Sequence, residues 1–250
     1  MSFLKRIFGK KEDINYPEVQ DYSWAGVDMH SHLIPGIDDG SKTMEESIDL
    51  IRKYKLLGFR KLITTPHIMS DAYRNTPEII LGGLDKLRTA VKNEGIDIEL
   101  EAAAEYYFDE DFTRLIKEKK LLTIGGKYLL FEVSYMNAPD NINQVVFDIQ
   151  VAGLTPILAH PERYPFWYHS FERYHQFREA GVLLQLNTNS LGGYYGPEAK
   201  KIAERMINEG MVDFIGSDMH GMRHMDALNR TVREKSLWKL AAQGIKNPTL

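Results

Sequence analysis

Eight histidines are spread along the chain, and five of them fall in short polar motifs that each follow an apolar run. His30 and His32 lie in Asp28-Met29-His30-Ser31-His32, and His67 closes Thr64-Thr65-Pro66-His67. His160 opens His160-Pro161-Glu162-Arg163-Tyr164, and His220 closes Gly216-Ser217-Asp218-Met219-His220. Residues two apart on a strand point to the same face, so the His-x-His and Asp-x-His pairs can each grip one cation. Carboxylates accompany them. Asp39 lies in Gly36-Ile37-Asp38-Asp39-Gly40, directly after the first pair; Glu105 follows three alanines, whose small side chains leave room beside it; Glu132 ends the apolar run Leu129-Leu130-Phe131. Each motif alone also fits a hydrogen-bonded histidine, a turn or a buried ion pair. Nitrogen and oxygen donors without sulfur suit manganese, zinc or iron.

The elements that must position these groups alternate. Strands are expected over Val27–His32, Lys61–Thr65, Ile98–Glu105, Tyr128–Val133, Pro156–Ala159, Val182–Asn187 and Val212–Ser217. Between them helical spacing runs over Met44–Leu57, Pro77–Asn93, Glu110–Lys119, Ile142–Ala152, Phe171–Ala180 and Glu198–Asn208, with a last helix over Asp226–Leu240. Thr43 with Glu46 has the spacing of a capping box. About seven strand–helix units imply an α/β fold, a mostly parallel sheet with outer helices, closed into a distorted barrel or left open. In parallel α/β barrels the C-terminal strand ends carry the active site. The reactive residues cluster at those ends, so they are expected to converge. His169, His175 and His224 read as ordinary surface histidines. Glu99 and Glu101 share the strand parity of Glu105, so either the strand begins later or they sit near its solvated start.

Composition narrows the chemistry. The 250 residues are 43% hydrophobic and 26% charged, ordinary for a folded domain. A formal charge of −4 argues against a general nucleic-acid binder. The absence of cysteine excludes disulfides, thiolate ligands and a cysteine nucleophile. No Gly-x-Gly-x-x-Gly follows a strand, and no apolar run approaches the roughly 18 residues that span a bilayer. The expected compartment is the cytoplasm. The start, Met1 to Lys11, is short, basic and amphipathic, a pattern that could touch an anionic membrane surface. Residues 1–26 are read as an N-terminal extension and 27–250 as the domain that carries these motifs.

Taken in order, Asp28-Met29-His30-Ser31-His32, Asp38-Asp39-Gly40, Thr65-Pro66-His67, Ala104-Glu105, His160-Pro161-Glu162-Arg163-Tyr164 and Ser217-Asp218-Met219-His220 closely resemble the polymerase and histidinol phosphatase (PHP) superfamily, and within it the bacterial capsule and exopolysaccharide tyrosine-protein phosphatases. The resemblance spans roughly Val27 to Leu240. It implies a distorted seven-stranded α/β barrel with a trinuclear centre. By position, His30, His32 and Asp218 hold the first ion, and Glu105 bridges it to a second completed by Glu132 and His160. Asp39, His67 and His220 hold the third. Manganese is the expected metal. The implied reaction is hydrolysis of phosphotyrosine by metal-activated water. Arg163 and Arg223, just beyond strand-end motifs, are candidates to bind the phosphate, whose geometry matches an arginine fork, and His220 to supply a proton. The implied substrate is a tyrosine-phosphorylated protein, a kinase of polysaccharide assembly. The competing readings are a small-molecule phosphatase, such as one acting on histidinol phosphate, a nuclease-like phosphodiesterase, and a metal-binding interaction module without catalysis.

Overall fold

The computed structural model describes residues 16–250. The amphipathic start, Met1 to Lys11, lies outside the described residues. Nine strands carry the sheet: β1 (Val27–Asp28), β2 (Lys61–Thr64), β3 (His67–Ile68), β4 (Glu99–Ala102), β5 (Glu105–Tyr107), β6 (Tyr128–Glu132), β7 (Thr155–Ala159), β8 (Leu183–Asn187) and β9 (Phe214–Gly216). Every pairing between them is parallel. The ladders run β1-β2-β4 and β3-β5-β6-β7-β8-β9. β2 and β3 are two halves of one strand course broken at Thr65-Pro66, where proline cannot donate to a ladder. β4 and β5 are broken likewise at Ala103-Ala104. The course stays in register across both breaks, because Ala103 N donates to Thr64 O and Glu105 N to Pro66 O. The sheet curls until its first and last courses touch. Ser31 and Met219 form a parallel bridge, and Asp218 N donates to His30 O at 2.8 Å.

Helices surround the curl: α1 (Met44–Leu56), α2 (Pro77–Asn93), α3 (Glu110–Glu118), α4 (Ile142–Val151), α5 (Glu172–Glu179), α6 (Thr188–Leu191), α7 (Pro197–Asn208), α8 (Met222–Thr231) and α9 (Lys235–Gln243). Their starts are written locally. The Thr43, Thr76 and Asp109 side chains accept from the amides of Glu46, Ile79 and Phe112, satisfying donors that a first helical turn leaves orphaned. On α2, Ile80, Leu84, Leu87 and Val91 recur at helical spacing and bury one stripe. Each such side chain contributes about 1.5–3 kcal/mol on full burial. The main core lies between helices and sheet. A smaller one, including Val27, Met29, Ile63, Leu130, Ile157 and Phe214, fills the inside of the curl.

One sequence expectation changes and one open alternative is settled. The single last helix over 226–240 is two helices, α8 and α9. Glu234 between them is extended (ψ 125°), and the Trp238 indole N–H donates to Val232 O at 2.7 Å, an acceptor that a continuous helix would give to its own backbone. The parity problem of Glu99 and Glu101 is answered by Lys61. Its ammonium lies 3.3 Å from Glu99 and 2.6 Å from Glu101, so both acids sit at the N-terminal end of the curl with a cation between them. Before β1, the Tyr22 side chain is fully buried and its hydroxyl donates to Leu228 O at 2.8 Å, tying that segment to α8.

Candidate metal centre

At the opposite, C-terminal end of the strands the nine expected donors come together. His30 and His32 follow β1, His67 starts β3, Glu105 starts β5, Glu132 ends β6, His160 follows β7 and Asp218 follows β9. His160 (φ 34°) and Asp218 (φ 50°) are two of the three non-glycine residues with left-handed backbone among the described residues. The chain turns sharply at these points, and such strain concentrates at functional sites.

Three overlapping groups of donors could each hold an ion: His30, His32, Glu105 and Asp218; His32, Asp39, His67 and His220; and His67, Glu105 and Glu132. His30 Nε2 lies 3.2 Å from Glu105 Oε2 and 3.4 Å from Asp218 Oδ1. His32 Nε2 lies 3.4 Å and 3.3 Å from the same two atoms. Asp39 Oδ1 is 3.4 Å from His67 Nε2 and 3.3 Å from His220 Nε2. His67 Nδ1 is 3.1 Å from both Glu105 and Glu132. His160 Nε2 is 3.1 Å from Glu105 Oε1 and 3.9 Å from Glu132 Oε2. Glu105 belongs to two of the three groups and approaches four of the five imidazoles.

The outward-facing ring nitrogens show what the inner ones need. Gln185 Oε1 can only accept, so His30 Nδ1, 2.9 Å away, carries a proton and donates it. Asp38 Oδ2 fixes His32 Nδ1 in the same way at 2.7 Å, and the Asp218 carbonyl fixes His220 Nδ1 at 2.9 Å. The neutral rings then present bare lone pairs inward, and the Nε2 atoms of His30 and His32 are only 3.3 Å apart. Such acceptors cannot face one another and four carboxylates without protons or cations between them. His67 Nδ1 and Glu105 Oε2 are buried with no hydrogen-bond partner among the described residues. Five imidazoles and four acids, oriented by outer hydrogen bonds, fit a cluster of metal ions.

Electrostatics state the same need. Burial pushes the His30, His32 and His67 imidazoles down, but the surrounding carboxylates override it; all three are raised, His67 to about 10. Glu105 and Asp218 are held well below the ordinary carboxyl range, because imidazoles outweigh their desolvation. His160 is lowered, first by burial and then by the Arg163 guanidinium.

Two glycines let the walls close in. A Cβ on Gly216 would lie 2.5 Å from His30 Cβ, and one on Gly40 would lie 2.2 Å from His32 O. Only glycine permits that approach.

The arginines separate. Arg163 is largely buried, pairs with Asp218 Oδ2, and stacks on Tyr195 (3.9 Å) and Tyr135 (5.0 Å). Arg223 is exposed on α8, with no ion pair among the described residues. His224, expected as a surface histidine, is partly buried against the cluster: its Nδ1 accepts from His220 N at 3.0 Å, and burial pushes it down to about 4. Sequence assigns no role to the supporting groups. Asp38 accepts from His32, the Gly40 amide and the His67 amide. Gln185 Oε1 also takes the His160 amide at 3.3 Å. Asn187 donates to Asp218 at 3.2 Å, and the Tyr135 hydroxyl meets His160 Nδ1 at 3.3 Å. Asp28 accepts from the Ser217 amide and from Tyr54, locking the first course to the last. Asp28, Asp38 and Ser217 lie inside the motifs, whereas Gln185, Asn187 and Tyr135 leave no sequence trace beyond lying on or just after strands, which a lone Asn, Gln or Tyr does not distinguish.

The family model for capsular polysaccharide synthesis, CpsB/CapC, matches residues 26–236. The tyrosine-protein phosphatase YwqE of Bacillus subtilis is 27% identical over 198 residues, 79% of this chain and 78% of that protein. The tyrosine-protein phosphatase CpsB of Streptococcus pneumoniae is 27% identical over 202 residues, covering 78% and 83%. A chain from the crystal structures of YwqE from Bacillus subtilis and CpsB from Streptococcus pneumoniae, described as metal-dependent tyrosine phosphatases, superposes with a TM-score of 0.79. It is 26% identical, covering 85% of this chain and 86% of that one.

Proposed function

The chain belongs to the CpsB/CapC family of capsular polysaccharide synthesis, and from that premise we propose that it is a metal-dependent protein-tyrosine phosphatase. The observation that carries the reading is the inward convergence of nine nitrogen and oxygen donors, three of whose imidazoles have the outer nitrogen already held. Residues 27–250 form the phosphatase unit, and residues 1–26 its extension. His30, His32, Asp218 and Glu105 would hold one ion, Glu105, Glu132 and His160 a second, and Asp39, His67 and His220 a third. The close approach of His67 to Glu105 and Glu132 supports a third ion beside the second. Manganese is the proposed metal. When bound, the ions acidify a water to serve as nucleophile and offset charge on the phosphoryl oxygens.

The chain's own residues do the rest. Gln185, Asp38 and the Asp218 carbonyl fix ring orientation, so the donors are aimed before metal arrives. Arg163 spends one donor on Asp218 and keeps others for phosphoryl oxygens. Its charge persists at any working pH, because Tyr135, Asp218 and Tyr195 outweigh burial and raise it further. His220 keeps its Nδ1 proton on the Asp218 carbonyl and lies on the partly open side of the pocket, near the half-exposed Asp39. With that proton committed and Nε2 a donor to the third ion, the ring has none to give, so His220 serves as a ligand rather than as the acid expected from sequence, and the departing oxygen takes its proton from solvent. A phenolate, with a pKa of about 10, leaves more readily than an alkoxide and needs little help. The absence of cysteine excludes a phosphocysteine route.

The proposed substrate is a phosphotyrosine protein, a kinase of polysaccharide assembly. No helix among the described residues is long and apolar enough to cross a membrane; contact of Met1 to Lys11 with an anionic surface stays part of the proposal. A panel of a phosphotyrosine peptide, histidinol phosphate and a short oligonucleotide, each with Mn²⁺, tests the assignment. Preferential turnover of the peptide is expected. Preference for histidinol phosphate or the oligonucleotide would replace it with the corresponding small-molecule or diester reading, and metal uptake without any hydrolysis would favour a binding module.

A further inference from the structure

Beside the metal pocket runs a second cavity of about 830 Å³, between the loop after β3 and helix α3. That volume lies in the range of sites that enclose a ligand the size of several side chains. Its lining includes Ile68, one residue beyond His67, so it lies beside the donor-bearing end of the sheet. The loop is the partition. Met69 and Tyr73 pair through two backbone hydrogen bonds of 2.9 and 3.0 Å. On one side Tyr73 stacks on His67, with ring centroids 5.5 Å apart. On the other, Met69, Ser70 and Arg74 line the cavity. Both walls are held in place. Asn75 donates to His67 O at 2.8 Å and to Ile37 O at 3.0 Å, while Asp109 accepts from the Ser70 amide and caps α3 at Phe112.

We propose that this groove takes the polypeptide flanking a phosphotyrosine, seating an apolar side chain while the phosphotyrosine enters over Tyr73. The proposal rests on the phosphatase reading and names how its protein substrate is recognised. Ile68, Met69, Phe112, Leu115 and Leu121 supply an apolar surface, and the rim carries both signs, Arg74 and Lys119 against Asp71 and Glu78. Net charge therefore does not select the partner; the apolar seat does. Walls fixed before binding lower the ordering cost of capturing an extended segment.

The test compares two short phosphotyrosine peptides, one flanked by leucines and one by glycines, with p-nitrophenyl phosphate as a substrate too small to reach the groove. Wild type is expected to favour the leucine-flanked peptide by about tenfold in kcat/KM, expressed through KM, as partial burial of one apolar side chain supplies. Ser70→Trp fills the groove without touching the Ser70 amide bond, and Leu115→Gln removes apolar wall. Both should abolish the preference and leave p-nitrophenyl phosphate turnover unchanged, which also reports that the variants are folded. No preference in wild type, or a preference that survives both substitutions, would overturn the proposal. Wild type that cleaves none of the three substrates contradicts the phosphatase reading itself, and this inference with it.

Discussion

Both ends of the curled sheet bury charge, yet only one is built for chemistry. At the N-terminal end Lys61 answers Glu99 and Glu101, and Asp213 receives Arg178, Lys246 and the Leu184 amide. Asn247 bridges Val27 O, Ile215 O and the Ile215 amide, closing that end with every group used. At the C-terminal end five imidazoles and four acids crowd together; His67 Nδ1 and Glu105 Oε2 lack hydrogen-bond partners, and His160 and Asp218 sit in left-handed backbone. An apolar plug separates the two. Buried charge alone therefore does not mark a site. Charge left incompletely paired, on strained backbone and aimed at one point, does.

Substitutions at the two ends should diverge accordingly. The largest effect belongs to Glu105→Gln, which keeps shape but removes the acid shared by four imidazoles. Loss of several kcal/mol of charge stabilisation lowers kcat by about a thousandfold, measured on a phosphotyrosine peptide at saturating Mn²⁺; a variant near wild-type rate would break the assignment. Next is Gln185→Leu, which frees His30 Nδ1 without touching a proposed ligand. Metal affinity should fall about 10- to 100-fold, read by calorimetric titration, with activity restored at high metal.

A pH experiment sharpens the contrast further. Burial pushes the Glu162 carboxyl up to about 7 from its ordinary value of 4.5. Across that window the folded chain binds more protons than the unfolded one, so this group's contribution is fullest at the acid end and declines as pH rises. The slope is at most about 1.4 kcal/mol per pH unit. Glu162→Gln, which can still accept from Asn187 N and Ser190, should flatten that slope in denaturation measured across the window. The smallest effect on turnover belongs to the other end. Asp213→Asn should cost about 1–3 kcal/mol of stability and leave kcat and KM unchanged; a large loss of turnover would mean that the two ends are coupled.

The order of elements and the site's donors were legible because each rests on a local signal. Apolar runs alternate with helical spacing, and His, Asp and Glu at strand ends are rare enough to notice together. What escaped depends on distant geometry. Asp38 and Asp39 are adjacent and alike in sequence, and only the fold turns one toward the imidazole ring of His32 and leaves the other 3.3 Å from His220. Gln185 looks like any strand residue until the curl brings it against His30 and His160. Arg163 and Arg223 both follow strand-end motifs, yet a 3₁₀ turn over Pro161–Arg163 carries the first inward while α8 exposes the second. The break between α8 and α9 hangs on Trp238 reaching Val232, a contact invisible to periodicity.

The central claim is that the C-terminal end of the sheet works only as a metal-loaded pocket. Its most direct test is to strip metal from the purified protein, verify the removal by elemental analysis, and follow phosphotyrosine-peptide hydrolysis as Mn²⁺ is returned. Turnover absent from the stripped protein and recovered with bound metal is the predicted result. Full activity in a verified metal-free sample would contradict it.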